Sequence, residues 1–412
     1  MTIKILAIGD SGDNLLLMKK YMKNMKMDII TFPRAGGDLL TTSNEEIKFF
    51  DSLRISKQVK KINQIKKNYD ICIVMTWSAA RVAYLSNLNY IMYFTGGDIT
   101  TPPFIKKPTL PYLKEPASDF NWIERNFYKK VFNSAVAVIA PMEEYFFPLK
   151  KYRKDAIRID RLFVDIEKFN DRIEPMNIEK NKFIFLSAQR FGLEKGFDII
   201  FDAINKCKTD FEVWQIEWFI EGTNEERMIN KELLKNIPKQ FKFIPLVKRE
   251  DLGKLFRSVD AVLGQMRSGI QGGIERDAAY CKCPVICYTN SKMILDGIEI
   301  LPPFLPNSRN PEQLAELLDK IVSSKKFRED LAEKEYEYIL NLSNPEKVSK
   351  EFEEIFIKVI KKYQNINHKS SKLRKIFENF LFNQIEKFVY IPKMKEKNIR
   401  VWGKQNYYDL MK

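Results

Sequence analysis

The stretch GGIERDAAYCKCPVI, residues 272–286, places two glycines before a glutamate, a small-residue helix, a proline and a strand. Free N–H groups and the dipole at such a helix start attract an anion, and the glycines allow a ligand to approach the backbone closely. Glu275 is able to accept hydrogen bonds from the vicinal hydroxyls of a ribose, as acidic residues do in dinucleotide-binding folds. The alternative is a carboxylate that only stabilises the helix dipole.

Apolar runs of strand length alternate with helical stretches on both sides of this segment. The first half contains IKILAI, DIITF, DICIVMTW, NYIMYFT and AVAVIA, and the second half contains KFIFLSA, WQIEWFIEG, FKFIPL, DAVLGQ and PVICYTN. Continuous apolar strands with helical crossovers indicate parallel sheets that are covered on both faces. The sequence therefore predicts an α/β protein with two Rossmann-like domains, joined by a linker at 157–182.

The predicted boundaries are 1–165 for the first domain, 166–350 for the second and 351–412 for a C-terminal helix and tail. An apolar stripe predicts an amphipathic helix over 346–363. The tail beyond it interleaves lysines with Phe377, Phe380, Phe382, Phe388 and Tyr390. Such a pattern suits an anionic membrane surface. We expect instead that the aromatic side chains pack on the first domain and leave the lysines exposed.

The composition limits the class of protein. The chain has 412 residues and a formal net charge of +15, with 45% hydrophobic and 30% charged residues. It is too long for one compact core, and its charge favours anionic partners. No run of about 18 apolar residues predicts a membrane span. The opening MTIKILAIGDSGDN indicates a buried strand rather than a signal peptide, so a cytoplasmic protein is expected.

The sequence predicts no metal site. Cys281, Cys283 and Cys287 cluster with a spacing that zinc sites do not use, and the single histidine, His368, lies far from them. We expect these cysteines to be buried thiols. His368 is expected to be a solvent-exposed bystander.

Two cations stand in a predicted strand-to-helix loop of the second domain. In SAQRFGLEKGFDIIFDAI, residues 187–204, the loop carries Arg190 and Lys195. Loops at the carboxyl ends of strands are where open α/β sheets bind ligands. Arginine offers a fork to phosphate oxygens and lysine a point charge, so the pair suits a diphosphate. The alternative is two solvated charges. Together with Glu275, they predict a nucleoside diphosphate site.

Two loops of the first domain are candidates for the opposite wall of a cleft. GDSGDN supplies Gly9, Asp10, Ser11 and Gly12 directly after the first strand. FTGGDITTPPF supplies Gly97 and Asp98, and Asp98 is able to meet an acceptor hydroxyl or a sugar. Ordinary turn chemistry explains both loops equally well.

Five segments in order make the second half resemble glycosyltransferase family 4, whose members are retaining enzymes of the GT-B fold. VDIEKF at 164–169 is similar to the family's GvDtekF, and the Arg190–Lys195 segment resembles its GRL…KG…A pattern. FIEG resembles lvGdG, FKFIPLVKREDLGKLFRSVDAVL resembles the next strand–helix–strand pattern, and GIERDAAYCKCPVI resembles lEAmAcGcPVI. The resemblance extends over about 155–360.

The resemblance implies a nucleotide-sugar donor in the second domain, an acceptor in the first and a reaction in the cleft between them. Arg190 and Lys195 would hold the diphosphate and stabilise the leaving group. Glu275 would bind the ribose, with Gly272, Gly273 and Ile274 beside it. No metal or other cofactor is required. The implied acceptor is a glycan or lipid-linked saccharide for polysaccharide or glycoconjugate synthesis, at the cytoplasmic membrane face and without nucleic acid as a partner.

Two departures from the family pattern keep other functions open. Arg267 stands where the family often has a second glutamate near the donor sugar, and a cation there suits an acidic sugar or a phosphate. The histidine that the family commonly places in the first domain is absent. These departures motivate a homologue that binds nucleotide sugars without turnover. A nucleotide-sugar epimerase of the same fold is the other alternative, although the near-absence of histidine weighs against it.

Overall fold

The computed structural model describes residues 2–33, 46–219, 222–364 and 372–411. Within these residues, seven parallel strands form a first sheet with the order β3-β2-β1-β4-β5-β6-β7. Its strands are β1 (Ile3–Ile8), β2 (Met25–Thr31), β3 (Ile47–Phe49), β4 (Ile71–Val74), β5 (Tyr90–Tyr93), β6 (Ala137–Ala140) and β7 (Ile157–Arg158). β1 pairs with both β2 and β4, so the strand order reverses between β1 and β4.

A second parallel sheet has the order β10-β9-β8-β11-β12, and a two-stranded antiparallel hairpin follows it. The strands are β8 (Phe183–Ser187), β9 (Phe211–Ile216), β10 (Phe241–Ile244), β11 (Ala261–Leu263) and β12 (Val285–Ile286), with β13 (Met293–Leu295) and β14 (Ile298–Ile300) in the hairpin. Here the order reverses between β8 and β11. All ten apolar runs of the sequence contribute a strand, as predicted.

Helices connect the strands and cover the sheets. They are α1 (Asn14–Tyr21), α2 (Ile55–Ile65), α3 (Trp77–Leu85), α4 (Trp122–Ser134), α5 (Met142–Tyr152), α6 (Phe197–Lys206), α7 (Asn224–Lys235), α8 (Arg249–Ser258), α9 (Gly273–Tyr280), α10 (Pro311–Ser323), α11 (Lys325–Leu342), α12 (Pro345–Gln364), α13 (Lys372–Ile385), α14 (Ile391–Trp402) and α15 (Lys404–Met411). None of the described helices combines the length and the apolar character that a membrane span requires.

The central strands are buried on both faces, which explains their continuous apolar runs. Every residue of β4, β5 and β6 is buried. The helices bury one face each: α12 buries Val348, Phe352, Phe356 and Val359. The Phe352 ring lies 5.3 Å from Tyr93 and 6.0 Å from Phe163, so α12 returns from the second sheet to the first.

The C-terminal helices pack on the first sheet's helices, as predicted. Phe382 of α13 lies with its ring centroid 4.6 Å from that of Phe127 in α4. Glu386 accepts hydrogen bonds from the backbone N–H groups of Ile55 and Ser56, at the start of α2. The carbonyl oxygen of Leu410 accepts from the backbone N–H of Leu53 at 2.9 Å.

The prediction that the tail's aromatic side chains are packed away is wrong for three of the five. Phe382 is buried and Tyr390 is partly buried, but Phe377, Phe380 and Phe388 are exposed. The reason is the orientation of α13, which directs Glu378, and Glu386 in the turn that follows the helix, toward the first domain. Glu378 accepts from the Tyr84 hydroxyl at 2.7 Å, and the aromatic residues on the opposite side of the helix therefore face outward.

Candidate functional site

A cavity of about 1740 Å³ lies between the carboxyl ends of the two sheets. From the first sheet, the residues that follow β4 and β5 line it, including Trp77 and 95–98. From the second sheet, it is lined by the residues that follow β8, β9 and β11. In the second sheet, where the loops after β8 and β11 both line it, the cavity thus lies at the point of strand-order reversal, where open α/β sheets bind ligands.

The loop that follows β8 is fixed by side-chain amides. Gln189 donates its Nε2 hydrogen to the Gly264 carbonyl oxygen at 2.8 Å, and Gln215 donates to the Gln189 carbonyl oxygen at 2.9 Å. Both glutamines are buried. The backbone on either side of Arg190 is therefore held against the neighbouring strands, and the Arg190 side chain extends into the cavity, with its guanidinium 5.6 Å from the Trp218 ring.

Lys195 ends a 3₁₀ turn, Leu193–Lys195, that leads into α6. Its carbonyl oxygen accepts from the Met266 N–H at 2.9 Å, which joins this loop to the one that follows β11. Gly196 then adopts φ +81°, and a Cβ atom there would lie 3.0 Å from the Met266 Cβ, so only glycine fits without strain. Lys195 is consequently aimed at the cavity by backbone contacts on both sides.

The electrostatic environment of the two cations favours an anionic ligand. Among the described residues, neither Arg190 nor Lys195 has an ion-pair partner. Burial lowers the pKa of the Lys195 ammonium, the nearby Glu275 carboxylate opposes this, and the Arg190 cation adds to it. Two like charges held together in a cleft gain free energy when a phosphate group enters.

Glu275 is the third residue of α9 and is 3% exposed. Its Oε1 accepts from the Gln265 N–H at 2.9 Å and its Oε2 from the Gly272 N–H at 3.0 Å. A Cβ atom at Gly264 would lie 2.6 Å from Oε1, so that glycine makes room for the carboxylate. Glu275 therefore stabilises the helix start, as the alternative interpretation held. It also lines the cavity with Gly272, Gly273 and Ile274, so its predicted contact with a ribose stays a prediction.

Arg267 lines the same cavity, but its charge is used within the protein. Its Nη2 donates to Asp198 Oδ2 at 2.6 Å, and its guanidinium lies 5.8 Å from the Tyr112 ring. Asp198 stands in the first turn of α6, so the pair joins the loop after β11 to the loop after β8. We interpret this contact as structural. It weakens the predicted role of Arg267 as a partner for an acidic sugar or a phosphate, because its charge is already balanced.

The two candidate loops of the first domain differ in position. Gly97 and Asp98 line the cavity, and burial raises the pKa of the Asp98 carboxyl against the effect of the Arg190 cation. Gly9, Asp10, Ser11 and Gly12 do not border it. Asp10 instead accepts from the Leu15 and Leu16 N–H groups at the start of α1, at 2.9 and 3.2 Å. The expectation that this loop lines the cleft is therefore wrong.

Several cavity residues are missing from the sequence prediction. Glu144, at the start of α5, faces the cavity, and burial raises the pKa of its carboxyl, opposed by Arg309 from the second domain. Trp218 contributes an aromatic face after β9. Tyr390, Lys393 and Arg400 bring the tail to the cavity wall. Two of them could have been found from the sequence: Trp218 lies within the predicted run WQIEWFIEG, and Glu144 closely follows the predicted run AVAVIA.

The cysteines lie outside this site. Cys281, Cys283 and Cys287 are buried, and burial raises the pKa of the Cys281 thiol to about 12. Within the described part of the chain, no group of three or more histidine, cysteine, aspartate or glutamate side chains could hold a metal ion. His368 falls outside the described residues, as do Ile220 and Glu221 of the FIEG segment.

Several solved structures share this arrangement of two sheets around a cleft. HepE from Anabaena, in complex with UDP and glucose, matches with a TM-score of 0.61 at 16% identity, covering 86% of this chain and 99% of that one. Sucrose-phosphate synthase from Thermosynechococcus elongatus matches with a TM-score of 0.62 at 12% identity, covering 87% and 99%. The chain has the GT-B fold.

Sequence comparison supports the GT-B assignment over part of the chain. Residues 168–338 match the family model described as "Glycosyl transferases group 1". A glycosyltransferase from Rickettsia africae is a further GT-B structure that resembles the chain, with a TM-score of 0.59 at 18% identity, covering 87% of this chain and 99% of that one. Among curated proteins, none matches the sequence. The family match includes β8 to α11 and therefore the loops that carry Arg190, Lys195 and Glu275.

Proposed function

We propose that this GT-B protein is a retaining glycosyltransferase that moves a sugar, of the hexosyl class, from a nucleoside diphosphate to a glycan or lipid-linked saccharide. The observation that carries the proposal is a pair of cations, Arg190 and Lys195, that have no ion-pair partner in the described part of the chain and lie beside Glu275 at the strand-order reversal of the second sheet. HepE, of the same fold, has been solved with UDP and glucose. The acceptor class and the retention rest on the resemblance to glycosyltransferase family 4.

The proposed chemistry needs charge stabilisation more than a general acid. The bond between the sugar's anomeric carbon and the diphosphate oxygen breaks, and the electron pair stays on the diphosphate. Arg190 and Lys195 would bind that oxygen more tightly as its negative charge grows, which lowers the barrier. The attacking acceptor hydroxyl loses its proton, and the leaving phosphate oxygen is the proposed recipient. None of these proposed steps uses a metal or another cofactor.

The opposite wall of the cavity offers carboxyl groups to an acceptor. Asp98 and Glu144 both belong to the first domain and line the cavity across from Glu275. Their pKa values are raised by burial, so each gains from a hydrogen-bond donor such as a sugar hydroxyl. We assign them to acceptor or donor-sugar hydroxyls. Arg267 stands outside this proposal, since its guanidinium is paired with Asp198.

The two alternative functions predict different products. A nucleotide-sugar epimerase would interconvert free nucleotide sugars, and a binding homologue would release no product. The pairing of Arg267 with Asp198 does not distinguish a transferase from a binding homologue, because both would bind the donor. Arg190 and Lys195, which the proposed chemistry uses to stabilise the leaving diphosphate, favour the transferase.

Thermal unfolding with a panel of nucleotide sugars and free nucleotides tests the donor site. A ligand that binds only the folded state raises the unfolding temperature according to its affinity. We expect one donor to stabilise the protein. We also expect the protein to release the nucleoside diphosphate slowly from that donor. Interconversion of the sugars would favour the epimerase, and stabilisation without any product would favour the binding homologue. No stabilisation by any nucleotide at millimolar concentration would refute the donor site.

The titration of Lys195 predicts how donor binding depends on pH. Burial lowers the pKa of Lys195 from 10.5, and a bound diphosphate stabilises the ammonium form. Donor affinity should therefore be constant below the lowered pKa and fall by up to about tenfold per pH unit above it, until the higher pKa of Lys195 in the donor complex is reached. The stability of the donor-free fold changes in the opposite sense between the lowered pKa and 10.5, because deprotonation of Lys195 relieves an unfavourable buried charge and stabilises the folded state there.

Calorimetric titration of the donor from neutral pH to 10.5 measures this dependence. Lys195→Arg is the matched variant, because arginine keeps its charge over the whole interval. The affinity of the variant should stay flat where that of the unmodified protein falls. An equal fall in both proteins would mean that another group causes it.

A further inference from the structure

Helix α13 turns its apolar side to solvent. Four apolar residues are each more than half exposed: Ile376, Phe377 and Phe380 of α13, and Phe388 of the turn that follows the helix. The side that faces the protein carries Phe382 and the two glutamates, Glu378 and Glu386. A surface helix of a globular protein normally has the reverse arrangement. Within the part of the chain that the structure describes, no second apolar partner covers this outward side.

The neighbouring helix continues this surface. α4 packs on α13 through Phe127 and Phe382, and Lys130 of α4 lies 3.8 Å from Glu378. α4 begins with two exposed apolar side chains, Trp122 and Ile123. We call the exposed residues of these two helices the α4–α13 surface: Trp122, Ile123, Ile376, Phe377, Phe380 and Phe388.

Cations accompany the apolar side chains. Lys129 and Lys387 are exposed on the same two segments, and the Lys387 ammonium lies 5.2 Å from the Phe388 ring. The acidic residues of α13 and its following turn, Glu378 and Glu386, face the protein instead. A surface with aromatic and aliphatic side chains and outward lysines complements a layer that is apolar inside and anionic at its face.

We propose that the α4–α13 surface binds an anionic lipid membrane, with its aromatic side chains at headgroup depth and the neighbouring Lys129 and Lys387 on the lipid phosphates. A second copy of the chain fits less well, because each copy carries a formal net charge of +15 and would bring its lysines against those of the other. The tail that bears this surface also borders the catalytic cavity through Lys393 and Arg400. Membrane binding would thus hold the acceptor side of the cavity beside the lipid.

Flotation of the full chain with lipid vesicles, without nucleotide, tests the surface independently of the proposed function. Vesicles of phosphatidylglycerol and phosphatidylcholine should bind the protein, and phosphatidylcholine alone should bind it much less. The double variant Phe377→Ser/Phe380→Ser should lower binding by at least about tenfold, because two aromatic side chains lose their apolar burial.

A matched pair of single variants controls for the loss of any exposed apolar residue. Ile376 and Ile298 are both 65% exposed, but Ile298 lies on the β14 hairpin of the second domain. Ile376→Ser should weaken vesicle binding and Ile298→Ser should leave it unchanged. The proposal is overturned if the unmodified protein does not float, if the double variant floats equally, or if both isoleucine variants behave alike.

Light scattering tests whether a second copy of the chain, rather than a membrane, covers the α4–α13 surface. The unmodified chain should be monomeric without lipid. A dimer that the Phe377→Ser/Phe380→Ser variant dissociates would assign the α4–α13 surface to self-association and overturn the membrane assignment.

Discussion

Replacement of Lys195 by alanine should lower the rate of sugar transfer at saturating donor by about 10²–10³-fold, the loss seen when one group that stabilises a developing oxyanion is removed. The folded state should be as stable as before or more stable. Lys195 has no ion-pair partner among the described residues, and burial of its charge is unfavourable, as its lowered pKa indicates. Loss of activity without loss of stability would separate a catalytic role from a structural one.

Steady-state kinetics and urea unfolding measure the two quantities side by side. Lys231→Ala is the matched control, since Lys231 is an exposed lysine of α7 that does not line the cavity. It should change neither activity nor stability. If Lys195→Ala keeps more than about a third of the activity, or unfolds as a strongly destabilised protein, the assignment of Lys195 to the leaving diphosphate fails.

Replacement of Glu275 by alanine should have two effects. The buried carboxylate accepts backbone hydrogen bonds from Gln265 and Gly272, and its loss should lower the free energy of unfolding by about 2–4 kcal/mol, as for hydrogen bonds to a buried charged group. Donor affinity should also fall by at least about tenfold if the carboxylate binds ribose hydroxyls, because one such hydrogen bond contributes about 1.5–3 kcal/mol.

A second glutamate separates these two effects. Glu124 occupies the same third position of a helix, α4, and accepts from the Asn121 N–H at 2.9 Å, but it does not line the cavity. Glu124→Ala should lose stability and keep its donor affinity. Both affinities are measured by calorimetry at a temperature where each variant is folded. A Glu275→Ala protein with normal donor affinity would limit Glu275 to its role at the helix start.

The architecture could be predicted from the sequence because buried strands appear in it as continuous apolar runs. Every one of the ten apolar runs contributes a strand, and α12 matches the apolar stripe of 346–363 closely. The sequence also singled out Arg190, Lys195 and Glu275, because all three stand where predicted strands and helices meet. The structure brings them to one cavity, and their roles in donor binding stay predictions.

Contacts between distant segments could not be predicted in this way. The sequence shows that Arg267 is a cation. Its pairing with Asp198 depends on how closely the loop after β11 approaches the start of α6, and the two residues are 69 positions apart in the chain. Asp10 lies in a loop after a strand, as cavity residues do, but its carboxylate accepts hydrogen bonds from N–H groups at the start of α1. The outward aromatic residues of α13 likewise depend on which side of the helix Glu378 and Glu386 bind.

The contact between Glu386 and the start of α2 has a consequence for biosynthesis. Its carboxylate accepts hydrogen bonds from the N–H groups of Ile55 and Ser56, although Glu386 lies 331 residues after Ile55 in the chain. While the ribosome is still making the second domain, the first domain has its sheet but lacks this cap on α2. At about 5–20 residues per second, the 228 residues from the end of β7 to Glu386 take roughly 11–46 s. The first domain would thus wait in a loosened state for the tail, and nascent chains should expose α2 to chaperones and proteases until Glu386 emerges.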